Sequence, residues 1–232
     1  CFVADTKSGA IIFDGGSSSE DQVGRYRILP YMKYLGYQKI QIAVISHMDI
    51  DHYSGIKELL ERGKIKYLGL PEIPKDETMK KIIGIAKKRG TTIFYLSRGR
   101  QITTKDGSLK VLHPQKNSQM EKNAASLVMQ GKILVYRVLL TGDVEKEGEE
   151  ELLSEELERA DILKAAHHGS KNSTSNEFLQ KVQPKQTVIS CGKQNRYGHP
   201  HLETIHRLQT YRTKIYRTDR SGAIIFFKRR DG

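Results

Sequence analysis

Short apolar runs alternate with amphipathic stretches along this chain, and the two periods predict different elements. Phe2 to Asp5 and Ala10 to Asp14 read as strands joined by a Lys-Ser-Gly turn, and Ile42 to Ser46 is a buried strand that delivers the chain into His47. Ile65 to Leu70, Thr92 to Leu96 and Ser108 to Leu112 are further strands. Ser126 to Gln130 and Ile133 to Leu140 predict a hairpin over Gly131-Lys132. Helical spacing covers Asp21 to Leu35, Tyr53 to Arg62 and Asp76 to Arg89, the first two stopping at Gly36 and Gly63. In the third, Met79, Ile82, Ile83 and Ala86 share a face that largely excludes Lys80, Lys81, Lys87 and Lys88. After Asp143 the order is helix, strand (Ile162 to Ala166), helix (Asn176 to Val182), strand (Thr187 to Cys191) and helix (Leu202 to Tyr211). Strands at Lys214 to Arg217 and Ala223 to Lys228 close the pattern.

Two strand-rich halves, each carrying helices, predict an α/β fold. Two mixed sheets would pack face to face with helices on the outer faces, an αββα sandwich. The 232 residues suit a single domain over 1–232, with no repeat or low-complexity linker to divide it. The longest apolar stretch, Ile133 to Leu140, is strand-sized and broken by Arg137, so no transmembrane segment is expected in the chain. The chain opens at Cys1 and enters Phe2 and Val3 at once, without the series of a signal peptide. It reads as beginning inside a strand whose upstream partner is missing.

Lys plus Arg outnumber Asp plus Glu by 39 to 27, a net charge of +12. Such an excess is either a solvated basic surface or an attraction to a polyanion, most simply nucleic acid. Basic residues concentrate at Lys80 to Arg89 and Arg207 to Arg230. In the latter, Tyr211 and Tyr216 lie among Arg207, Arg212, Lys214, Arg217 and Arg220, a pattern suited to a strand-tracking groove. Two cysteines, Cys1 and Cys191, build neither a disulfide framework nor a Cys-x-x-Cys motif.

The segment Ile45-Ser46-His47-Met48-Asp49-Ile50-Asp51-His52 places four strong ligands in six residues at a strand exit. A turn is needed to bring them together, because a strand sends successive side chains to opposite faces. Carboxylates this close repel unless a cation compensates them. The competing reading is a polar cap on the next helix, with Asp51 or Ser54 as N-cap.

These residues resemble the metallo-β-lactamase superfamily, whose signature is His-x-His-x-Asp-His after a buried strand; the second His of that signature is Asp49 here. Leu140-Thr141-Gly142-Asp143 is similar to the stretch supplying a metal-bridging carboxylate. Ala166-His167-His168-Gly169-Ser170 and Tyr197-Gly198-His199-Pro200 resemble its later histidine motifs, and Phe13-Asp14-Gly15-Gly16 its early Asp-Gly-Gly turn. The combination is more specifically similar to the hydrolase domain of ComEC-type competence DNA-uptake proteins, from about Phe2 to Phe227. That family opens with a strand ending in Gly-x-Gly-Asp, absent here. The resemblance implies metal ligation by His47, Asp49, Asp51, His52, Asp143 and His168, and catalytic roles for Asp51, His168 and His199. It implies support behind the site from Asp14, Asn123 and His167, and substrate contacts from Lys164, Ser170, Lys171, Arg196 and Tyr197. Asn123 falls where many members carry a further ligand. The nearby His113 is expected to be structural or exposed, and His201 and His206 non-catalytic.

Two divalent cations held in this way would lower the pKa of a shared water and neutralise charge on a phosphate. A carboxylate in place of a histidine hardens the site and favours Mn2+ or Mg2+, with Zn2+ still possible. The leading expectation is a metal-dependent DNase acting on a DNA strand during uptake. Its competitors are a small-molecule hydrolase (lactonase, β-lactamase or phosphocholine esterase type) and a non-catalytic DNA-guiding module. By resemblance the chain would accompany a polytopic membrane channel at the extracytoplasmic face of a bacterial membrane; the alternative is a freestanding cytoplasmic or secreted hydrolase.

Overall fold

The computed structural model describes residues 1–121 and 123–227. Its first half runs β1 (Phe2–Thr6), β2 (Gly9–Phe13), α1 (Leu29–Tyr34), β3 (Ile40–Val44), α2 (Ile50–Glu61), β4 (Ile65–Pro71), α3 (Glu77–Lys88) and β5 (Thr92–Leu96). These strands form a five-stranded sheet in sequential order. Its first pair is antiparallel and the rest are parallel. The second half runs β6 (Gln101–Thr104), β7 (Gly107–His113), β8 (Val128–Ile133), β9 (Tyr136–Leu140), α4 (Lys146–Leu153), β10 (Ile162–Lys164), α5 (Asn176–Val182), β11 (Gln186–Ile189), α6 (Leu202–Thr210), β12 (Lys214–Arg217) and α7 (Thr218–Ser221). Its seven strands lie in the order β12-β11-β10-β9-β8-β7-β6, parallel from β12 to β9 and antiparallel thereafter.

Strand alternation distributes the apolar residues over three cores. On β2, Ala10 and Ile12 pack under Met32, Ile56, Leu59, Met79 and Ile82 of the first helical layer. Their neighbours Ile11 and Phe13 point the other way, into the inter-sheet core with Val111, Met129, Val138 and Leu140. Leu139 and Leu163 face a third core under α4, α5 and α6, filled by Leu152, Phe178, Leu179 and Leu208. The result is the expected αββα sandwich of two mixed sheets.

Several element boundaries depart from the pattern reading. The hairpin turns at Leu134-Val135, with Leu134 at φ +56°, so Gly131 and Lys132 belong to β8. Gly131 is needed inside the strand because a Cβ there would lie 2.1 Å from the Ser108 carbonyl oxygen. The edge strand β6 was not anticipated; of its four residues only Ile102 is buried. Between Asp21 and Leu35 the chain makes a wide π turn, Gly24–Ile28, before α1. No strand forms at 223–227, and Lys228 lies outside the described residues. Helix α2 starts at Ile50 with Asp49 as its cap residue, not at Tyr53. Asp51 and His52 therefore occupy its first turn.

Candidate metal centre

The centre assembles where β3, the turn after β9 and the turn after β10 end at the same edge of the sandwich. Ligand atoms of Asp51, His52, Asp143 and His168 all lie within 4.8 Å of one another. His168 Nε2 is 3.0 Å from Asp51 Oδ2 and 3.0 Å from Asp143 Oδ2. His52 Nε2 is 3.1 Å from Asp143 Oδ2 and 3.3 Å from His168 Nε2. His47 and Asp49 adjoin this group as a pair, His47 Nε2 to Asp49 Oδ2 being 3.6 Å, and the His47 ring centre is 4.1 Å from that of His52.

The far side of each ring is held. Asp14 Oδ2 accepts the His52 Nδ1–H at 2.8 Å, while Asp14 also accepts the Ser46 N–H and hydroxyl at 2.7 and 2.8 Å. Ser46 Oγ lies 3.0 Å from His47 Nδ1, and the Ser190 carbonyl accepts the His168 Nδ1–H at 2.7 Å. Each contact turns an Nε2 towards the cluster, the orienting arrangement usual for histidines that bind metal. The turn carrying His168 is strained, with His167 at φ +43° and His168 at φ +54°, and such conformations cluster at functional sites.

The chemistry of the donor set suits divalent cations. His47 Nε2 and Asp143 Oδ1 are buried without a hydrogen-bond partner, a costly state that a cation would relieve. Burial opposes charge on His52, yet the flanking Asp143 and Asp14 carboxylates outweigh it and raise the ring to about 10. Burial likewise opposes charge on Asp51, but the His168 hydrogen bond and the charge of His52 hold that carboxyl at about 2. Asp143, fully buried, is driven well below the usual range by His52 and His168. Two ionised carboxylates, Asp51 and Asp143, thus face the His52 and His168 rings across the cluster.

The sequence profile of the Metallo-beta-lactamase superfamily matches residues 1–193. This chain belongs to that superfamily. Among curated proteins, it is 37% identical to ComE operon protein 3 of Bacillus subtilis (strain 168), over 90% of this chain and 27% of that protein. It is 30% identical to Competence protein ComA of Neisseria gonorrhoeae, over 98% of this chain and 30% of that protein. The chain thus spans under a third of the length of these relatives. The metallo-beta-lactamase fold protein YhfI from Bacillus subtilis superposes with a TM-score of 0.60 at 13% identity, covering 93% of this chain and 87% of YhfI.

Within this metallo-β-lactamase fold, the other singled-out residues fall into two groups. His167 and His199 line the centre: the His167 ring is 5.4 Å from that of His199, and His167 Nδ1 is 2.7 Å from Glu145 Oε1. Burial, then the charges of His167, His201 and His168, pushes His199 down to about 4. Arg196 and Tyr197 are exposed on the same loop, and Lys171 is exposed after the His168 turn. The Asn123 backbone carbonyl accepts the Ser126 N–H at 3.0 Å, and Ser126 Oγ accepts the Asp143 N–H at 3.2 Å.

Lys164 and Ser170 are placed differently from a strand contact. Lys164 is buried and donates to the Gly142 carbonyl at 2.9 Å, with Asp143 Oδ1 at 3.7 Å, so it stands behind the cluster. Ser170 is buried and its Oγ accepts the Asn172 N–H at 3.3 Å. His113 is fully buried and structural, its Nε2 being 2.6 Å from the Ala124 carbonyl. In the basic, tyrosine-bearing stretch from Arg207, two arginines are committed to the fold, while Arg212, Lys214 and Arg220 are exposed. Arg207 donates to the Lys171, Ser173 and Thr174 carbonyls, and Arg217 pairs with Asp219. Residues 228–230 of that stretch lie outside the described residues.

Sequence reasoning missed three supports. Glu145 faces His167, Ser46 bridges Asp14 to His47, and the buried Glu149 accepts the Thr174 and Ser175 N–H groups at 2.7 Å each, securing the loop after His168. Ser46, beside His47, was the one a local reading had within reach.

Proposed function

We propose that this chain is a metal-dependent phosphodiesterase acting on a DNA strand, in the setting of DNA uptake. The observation that carries the reading is the cluster of Asp51, His52, Asp143 and His168, in which Asp143 Oδ1, like the adjoining His47 Nε2, is buried without a hydrogen bond. The names of the competence relatives and the net charge of +12 support a polyanionic substrate over a neutral lactone. Asp51, His52, Asp143 and His168 would hold one cation and His47 and Asp49 help to hold a second, with Mn2+ favoured over Zn2+ by the carboxylate of Asp49 in place of a histidine. Such cations supply Lewis-acid charge and lower the pKa of water.

The protein's own groups then have distinct tasks. Asp14 and the Ser190 carbonyl keep the His52 and His168 rings oriented. Asp143 and Asp51 arrive ionised at neutral pH, so no proton has to leave them before cation uptake. His199, neutral at that pH and beside His167 and His168, would hydrogen-bond a phosphate oxygen or the leaving group. The test is cleavage of single-stranded DNA, duplex DNA, RNA and a lactone with added Mn2+. DNA cleavage that stops on chelation and in Asp51→Ala is expected; turnover of the lactone alone would replace this reading with a small-molecule hydrolase.

A further inference from the structure

A ladder of flat groups leads from the candidate metal centre to the surface. The His168 ring lies 6.3 Å from the His199 ring at 24°, and His199 lies 5.7 Å from Tyr197, again at 24°. The Arg196 guanidinium carbon sits 4.7 Å from the Tyr197 ring centre. The loop bearing these groups is braced: Asn195 Oδ1 accepts the His199 N–H at 2.9 Å and its Nδ2 donates to the His199 carbonyl at 2.6 Å.

The exposed end of this ladder is an aromatic ring that the fold does not require. Tyr197 is 54% exposed, Leu202 70% and Ile50 51%, and none belongs to a hydrophobic core. Ile50 stands between Asp49 and Asp51 on α2, while Leu202 follows His201, whose ring is 4.9 Å from His199. Ile50 and Leu202 thus adjoin candidate site residues along the chain, and exposed cations stand near the ladder, Lys193 and Arg196 on the loop of Tyr197 and Lys171 after the His168 turn. A phosphate alone has no use for an exposed aromatic ring. A duplex hides its base faces in its own stack, whereas an unpaired strand presents both base faces and phosphates.

Resting on the nuclease reading, we propose that Tyr197 and Arg196 form a stacking platform for an unpaired nucleobase of the strand whose phosphate reaches the metal centre. The platform makes the unpaired strand the preferred substrate, without choosing among bases, because every base has a flat face.

The probes are a short oligothymidylate, an abasic strand of equal length that keeps the phosphates, and a hairpin duplex. Cleavage by the Mn2+-loaded protein is measured together with anisotropy binding to the Asp51→Ala protein. The base-bearing strand should be preferred over the abasic strand by about tenfold, within the range of one base–aromatic stack, and the difference should lie in KM rather than kcat. The preference should collapse towards unity in Tyr197→Ala and persist in Tyr197→Phe, both with unchanged circular dichroism. Equal handling of base-bearing and abasic strands, or a preference that survives Tyr197→Ala, overturns the platform. If no strand is cleaved but the binding preference follows Tyr197, the nuclease reading falls and the platform stands.

Discussion

Asp14 illustrates how much of this centre depends on a residue with no place in the ligand cluster. Its carboxylate accepts three hydrogen bonds, from the Ser46 backbone and hydroxyl and from His52 Nδ1, and so fixes the direction of His52 Nε2. Replacing such a partner usually costs about 10–100-fold in metal affinity or activity. Asp14→Asn should therefore weaken Mn2+ binding by about that factor in calorimetry while the fold persists. Unchanged affinity would remove Asp14 from the supporting role. With Asp143, whose charge acts more strongly, the same carboxylate contributes to a pH effect. In metal-free protein His52 titrates near 10, against 6.5 for an ordinary imidazole. Its protonated ring thus stabilises the fold fully below about pH 6.5, and this contribution is lost as pH rises through about 10. Asp51, held at about 2, works the other way: its contribution is present above about pH 4 and disappears as pH falls towards 2. Chelated protein should lose thermal stability between pH 6.5 and 10 more steeply than Asp14→Asn does, and Mn2+ should suppress that loss. Identical slopes in thermal melts of the two proteins would contradict the assignment.

At the scale of elements, α2 is the piece that places Asp51 and His52, and its position is set by glycines. A Cβ on Gly55 would lie 2.5 Å from the Gly15 carbonyl oxygen, and one on Gly24 would lie 2.4 Å from the Gly55 carbonyl oxygen. The close approach also lets Gly15 N–H donate to the His52 carbonyl at 2.8 Å and Ile56 N–H to the Gly15 carbonyl at 3.0 Å. Two effects oppose each other in Gly55→Ala. Helix propensity favours alanine by about 1 kcal/mol, but forcing an extra carbon into a packed contact costs typically about 1–3 kcal/mol. Because the obstacle is backbone, which cannot swing aside, the second effect wins. Gly55→Ala should be less stable in urea and less active, the turn bearing Asp51 and His52 being displaced. A more stable, fully active variant would refute this packing argument. The same scale shows where pattern reading fails. α5 was legible to the residue because Ser175 caps it and its apolar face is regular. The Leu134-Val135 turn lacks the glycine or asparagine that announces a turn, and β6 offers one buried residue to recognise.

At the scale of the molecule, what was legible was local. His47 to His52 and Asp143 declare themselves by ligand density and by the strands before them. The brace from Glu149 to Thr174, the Ser190 carbonyl behind His168 and the withdrawal of Lys164 and Arg207 into the fold join residues distant in sequence, and no spacing encodes them. That withdrawal changes the electrostatic expectation. The net charge of +12 still attracts a polyanion, but the cations available along a path to the metal centre are exposed ones such as Lys171, Lys193 and Arg196. Each phosphate they neutralise releases counterion, so log affinity should fall with log salt at a slope of roughly -0.7 per contact on a single strand. About four contacts would cost on the order of a hundredfold in affinity for a fivefold rise in salt. Lys171→Ala and Arg196→Ala should each reduce the slope by roughly one contact's worth. Lys164→Met should leave the slope unchanged, because its ammonium is buried against the Gly142 carbonyl. The measurement is binding of a fluorescent oligonucleotide to Asp51→Ala protein across salt. A slope that responds to Lys164 and not to Lys171 or Arg196 would put the strand on the wrong side of the site, and a flat response would remove the electrostatic case for a nucleic-acid substrate.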